Sequence, residues 1–86
     1  MLTLQGKYRV SDTKRLTILA ESGAQRSEAL TADIVALRAA CHLNSGRCEV
    51  HVSTQHGLMY GTLVEKKPRR FNLWQFEGHL SFPQRA

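Results

Sequence analysis

Apolar or small residues occupy every second position over Leu2, Leu4, Gly6, Tyr8 and Val10, with Thr3, Gln5, Lys7 and Arg9 between them. This two-residue period predicts a half-buried strand over 2–10 with the basic residues on the wet face. Ser11-Asp12-Thr13-Lys14 reads as a turn. Leu16, Ile18 and Ala20 resume the alternation against Arg15 and Thr17. An antiparallel hairpin of 2–10 with 15–20 is therefore expected, with Leu4, Tyr8, Leu16 and Ile18 facing inward. Glu21 to Arg26 is a polar loop.

The period then lengthens. Leu30, Ile34, Leu37 and Cys41 share one stripe at 100° per residue, which predicts a helix over Leu30–Asn44. Thr31 is the expected N-cap, and Leu30 with Val35 the expected hydrophobic staple. Asp33 falls in the first turn, where the helix dipole favours a negative charge. An upstream start at Ser27-Glu28 stays open. Asn44-Ser45-Gly46 supplies the stop, with Asn44 or Gly46 turning left-handed. A second stripe, Ala32, Ala36, Ala39 and Leu43, lies roughly opposite the first, with Val35 at its edge. An ordinary surface helix has a polar back. This one is expected to meet a second copy, making the protein a homodimer about Ala32, Ala36, Ala39 and Leu43; the alternative is that the alanines are exposed helix formers and Leu43 alone tucks under a loop.

Beyond the helix, Cys48, Val50 and Val52 alternate with Glu49, His51 and Ser53 over 47–54. Gln55-His56-Gly57 turns the chain. Residues 58–65 carry aliphatics on both faces, as a central strand does. Lys66–Arg70, KKPRR, reads as a loop because Pro68 lacks a donor. Phe71–Phe76 is the last expected strand, and Gly78 onward is tail. The order β-β-α-β-β-β implies an α+β fold: an antiparallel sheet of four or five strands on a single helix. Residues 1–82 form one domain, and 83–86 fray.

Composition narrows the function classes. No stretch of about 18 apolar residues occurs, so no membrane span is expected. MLTLQGKYRV lacks a positive n-region before an apolar block, so it is not expected to be a signal peptide. Two cysteines are too few for a disulfide framework, and a reduced, cytoplasmic setting is the expectation. Twelve Lys and Arg against seven Asp and Glu give a net charge of +5. Nine of the twelve basic residues lie in 1–15 and 65–86. One side of the domain is positive if those segments are neighbours.

The basic loop supplies the leading candidate chemistry. Lys66, Lys67, Arg69 and Arg70 can neutralise phosphates. Phe71 or Trp74 beyond them could stack on a base. Lys7, Arg9, Lys14 and Arg15 would extend the positive surface. The bland alternative is a solvated loop with Trp74 in the core. Cys41, His42, Cys48, His51 and His56 lack the tight paired spacing of zinc modules, so no metal is expected. No cofactor is expected either. His51, His56 and His79 are the candidates for general acid–base work, with Arg69 or Arg70 to hold a phosphate. Tyr60 and Gly61 fit packing. The chain does not carry the signatures of RRM, KH or homeodomain modules. The expectation is a small, basic, non-catalytic protein that binds DNA or RNA. The alternatives are a protein–protein adaptor or inhibitor with an acidic partner, and, more weakly, a ribonuclease-like toxin.

Overall fold

The computed structural model describes residues 1–21, 29–66 and 73–83. In chain order the elements are β1 (Leu2–Tyr8), β2 (Arg15–Glu21), α1 (Thr31–Leu43), β3 (Arg47–Thr54), β4 (Gly57–Lys66) and β5 (Leu73–Ser81). The strands form one sheet in the order β1-β3-β4-β5-β2. The meander β3-β4-β5 is antiparallel, as is β5 with β2, but β1 lies parallel to β3. The sheet is thus mixed, not antiparallel throughout as expected. Its central strand is β4, in keeping with the aliphatics on both its faces.

The expected hairpin turn forms, but its strands do not pair. Lys14 N–H donates to Ser11 O at 2.8 Å and Ser11 N–H to Arg15 O at 3.0 Å. Lys14 takes a left-handed φ of 62°, so this is a type I turn followed by a bulge residue. Beyond it β1 and β2 diverge to opposite edges of the sheet. Alternation fixes which face a residue takes, not which strand it pairs with. Leu4, Tyr8, Leu16 and Ile18 are buried and Lys7 and Arg9 exposed, as the alternation requires.

Two edge strands joined at one corner mean that the sheet is curled. Glycines on the concave side of the adjacent strands β4 and β5 permit it. A Cβ at Gly61 would stand 2.3 Å from the carbonyl oxygen of His79, and one at Gly78 2.0 Å from that of Thr62. Glycine inside a strand marks such a bend or close backbone approach.

Helix α1 packs on β1 and β3. It buries Asp33, Ile34, Leu37 and Cys41 against a core that includes Leu16, Val50, Val52, Met59, Leu63 and Phe76. Leu80 is also buried, so the last strand runs through Ser81 and the tail begins later than expected. No helix among the described residues is long and apolar enough to cross a membrane.

The helix start departs from expectation. Leu30, not Thr31, is the N-cap, with no side-chain cap. Leu30 and Val35 are exposed, so no buried staple forms, and Asp33 takes the place of Leu30 in the buried stripe. The cause lies in β1. Leu2 and Thr3 pair with Val50 and His51, whereas Lys7 and Tyr8 pair with Ser53 and Thr54. β1 therefore advances further than β3 and bulges, which frees successive amides. Gln5 N–H and Gly6 N–H donate to the Asp33 carboxylate at 2.8 and 2.9 Å. The Tyr8 hydroxyl also donates to it, and in turn accepts Leu30 N–H at 3.3 Å. One buried carboxylate thus satisfies the bulge, and a tyrosine caps the helix. At the other end Gly46, with φ 86°, closes the helix by donating to Cys41 O at 2.7 Å. Leu30 is extended, with φ −66° and ψ 139°, so the helix does not continue upstream to Ser27-Glu28; the fraying of 84–86 lies outside the described residues.

Candidate nucleic-acid interface

The helix covers one face of the sheet. The other face carries the strand residues of opposite parity: Thr3 and Lys7 on β1, and Arg47, Glu49, His51 and Ser53 on β3. β4 adds Leu58, Tyr60, Thr62, Val64 and Lys66. β5 adds Gln75, Glu77, His79 and Ser81, and β2 adds Arg15, Thr17 and Leu19. Among the side chains that are described, Lys7, Arg15, Arg47 and Lys66 supply the cations and Glu49 and Glu77 the carboxylates.

Cross-strand register places these side chains. His51 is opposite Tyr60, and Tyr60 opposite Ser81. The His51 and Tyr60 rings meet edge to face at 6.4 Å between centroids. Gly61 pairs with Leu80 and Val64 with Glu77, a register that sets His79 beside Thr62. His79 pairs with Arg15. Glu77 accepts from Arg15 at 2.7 Å and from Lys66 at 3.4 Å. Partial desolvation works against the Glu77 carboxylate, but Arg15 and Lys66 outweigh it and hold its pKa below the usual range. Two cations on one carboxylate leave this patch positive.

The expected site residues divide. Lys7 and Arg9 come together around a depression of about 460 Å³ with Tyr8, Thr54 and Gln55. Gln55 closes its floor by pairing with the Val10 backbone like a strand, accepting from N–H at 2.9 Å and donating to C=O at 2.7 Å. Lys14 lies nearby with its ammonium 5.3 Å from the Phe82 ring centre. Lys66 stands at the opposite end of β4 from Leu58, about 26 Å away at ~3.3 Å per residue. Lys67, Arg69, Arg70 and Phe71 lie outside the described residues.

Trp74 is on the helix side of the sheet, in line with Phe76 and Leu80. The Arg38 guanidinium covers its ring at 4.2 Å, a cation–π contact that occupies one stacking face. Tyr60, 37% accessible, presents an exposed ring on the open face. The sequence held the signal, because Tyr60 shares parity with Lys66 and Trp74 shares it with Phe76.

The remaining candidates do not converge. His56 sits in the β3–β4 turn against Phe82, while His51 and His79 are on strands separated by β4. No group of three or more His, Cys, Asp or Glu gathers among the described residues. Cys41 and Cys48 are buried free thiols. Burial pushes Cys41 up to about 11 and raises Cys48 as well, so both remain neutral core groups. Comparison with known protein families, curated proteins and solved structures finds no match to this chain.

Proposed function

We propose that the protein binds nucleic acid without catalysis, on the sheet face opposite the helix and through the basic segment 66–70 that continues from β4. The observation that supports this is an uncovered face with cations at both ends and an exposed tyrosine between them. Lys7 and Arg9 at one end and Lys66 at the other neutralise phosphates, and Lys67, Arg69 and Arg70, which follow Lys66 in the sequence, add to them.

Titration with short DNA and RNA across salt tests the proposal. Phosphate neutralisation gives a slope of log K against log salt of roughly −0.7 to −0.9 per contact. A slope near zero favours the adaptor alternative. Serine at Lys66, Lys67, Arg69 and Arg70 together is expected to weaken binding at least about tenfold at low salt. Folding should be little affected, since exposed substitutions usually cost under about 0.5 kcal/mol. Unchanged affinity would remove the segment from the interface.

A second copy is proposed on the outer face of α1. Leu43 is 80% and Val35 59% exposed there, beside Ala32, Ala36 and Ala39. Small residues let helices approach to about 8 Å, and a dimer would add buried surface to a small domain and bring two basic segments to one ligand. Sedimentation at tens of micromolar should give a dimer that Ala36→Glu with Ala39→Glu converts to a folded monomer. A parent that is monomeric throughout excludes it. A partner of another kind on this face would leave the parent monomeric and return the adaptor alternative.

A further inference from the structure

We infer that the ligand on the open face is a single strand of nucleic acid, crossing the sheet obliquely from Lys7 to Arg15 with a base stacked on Tyr60. This rests on the nucleic-acid function proposed above and specifies its substrate.

The register puts five residues in one line. Lys7 on β1 is beside Ser53 of β3, one outward position from His51. His51 is opposite Tyr60. His79 on β5 is one outward position from Ser81, the partner of Tyr60, and is itself paired with Arg15 on β2. The line Lys7–His51–Tyr60–His79–Arg15 therefore crosses every strand, with a cation at each end and rings between. Across strands ~4.8 Å apart it spans about 19 Å, and somewhat more along the diagonal. That is room for a few nucleotides, at the short end of single-strand sites on small β domains.

The chemistry along the line suits unpaired bases. Tyr60 offers a ring held in an edge-to-face pair with His51, and a stacked base needs only a π-face. Ser53, Thr62 and Ser81 surround it with short hydroxyl side chains able to reach base edges. Of the carboxylates on this face whose side chains are described, Glu77 is held by Arg15 and Lys66, and Glu49 stands beside Thr62, to one side of the line. A duplex would not expose a base to Tyr60. The outward surface of α1 is apolar apart from Thr31, Arg38 and His42, so it offers little to a major groove, where reading relies on polar contacts to base edges.

The test is fluorescence anisotropy at low salt with labelled eight-nucleotide dT and rU strands and a duplex of equal length, using the parent, Tyr60→Leu, Tyr60→Phe and Lys7→Ser. The parent is expected to prefer the single strands. Tyr60→Leu should lose roughly ten- to hundred-fold on them, the worth of one stacked base, with its duplex affinity and unfolding midpoint unchanged. Tyr60→Phe should retain binding. Lys7→Ser should reduce the salt slope by about 0.7. A parent that binds duplex as well as single strands, or a folded Tyr60→Leu with parental single-strand affinity, overturns this inference and leaves the proposed function standing. A parent that binds neither overturns both.

Discussion

Asp33→Ala is expected to destabilise the domain by about 3–5 kcal/mol. The substitution removes the acceptor for the Gln5 and Gly6 amides and for the Tyr8 hydroxyl, at a site where Asp33 is 2% exposed. Each buried donor left without a partner costs about 1–3 kcal/mol. The total is a large share of the 5–15 kcal/mol that holds a typical domain. At about 4–8 °C per kcal/mol for a chain of this size, the melting midpoint should drop by roughly 15–30 °C. Asp33→Asn keeps one acceptor and should lose less. The carboxylate also predicts a pH dependence. Burial alone would raise its pKa, but the amides of Gln5 and Gly6 and the Tyr8 hydroxyl together hold it below the usual value. A depressed folded-state pKa contributes stability that is complete above the unfolded value of about 3.9 and is lost as pH falls through the folded value. Thermal unfolding followed by circular dichroism from pH 7 to 2 checks both points. A loss under about 1 kcal/mol in Asp33→Ala, or an identical acid profile in parent and variant, would remove the carboxylate from its place in the fold.

Gly78→Ala is expected to cost about 3 kcal/mol or more. The new methyl would meet the Thr62 carbonyl oxygen at 2.0 Å and its carbon at 3.0 Å. The obstacle is backbone, so no side chain can swing aside, and β4 and β5 must separate or lose their curl. Overpacking a well-filled site typically costs about 1–3 kcal/mol, and occasionally more. Gly61→Ala meets the His79 carbonyl in the same way and should behave alike. Because the two glycines shape one bend, the double variant should cost less than the sum of the singles. Urea unfolding of the three variants measures this. A Gly78→Ala protein with parental stability would mean that the curl has another origin.

The helix and the strands were legible because each has a period. Residues 47–54 are β3 as expected, and the helix is one residue shorter than expected at each end. Three things were not legible, each for a physical reason. Partner choice was hidden because Leu4 and Tyr8 face inward whether β1 pairs with β2 or β3. The role of Asp33 was hidden because an acid in a first helical turn also fits a solvent-exposed dipole contact. The bulge that claims it shows only in the register between Thr3 and Lys7. The last strand was cut short at Phe76 because Gly78 was read as a break, whereas it marks a bend inside β5. For the candidate site, the alternation puts Lys7 outward correctly, whereas Lys66, expected in a loop because of Pro68, is the last residue of β4. Trp74 stands out by its type, although its parity with Phe76 and Leu80 places it on the core side, and Tyr60, which the sequence assigns to packing, is exposed on the open face.

The parallel pairing of β1 with β3 has a consequence for how the chain reaches this structure. Leu2 joins Val50, and Arg15 joins His79. During synthesis the first two strands emerge long before the strands they pair with, and the turn between them cannot hold them as a hairpin. The meander β3-β4-β5, linked in part by the short turn at Gln55-His56, closes small loops and can assemble first. The N-terminal strands are then expected to add to its two edges, with Asp33 fastening β1, an order that φ-values near zero for substitutions in β1 would support. Pairings so distant in sequence place the domain among slow folders, in the millisecond-to-second range, with apolar strand faces uncovered until the last pairing is made.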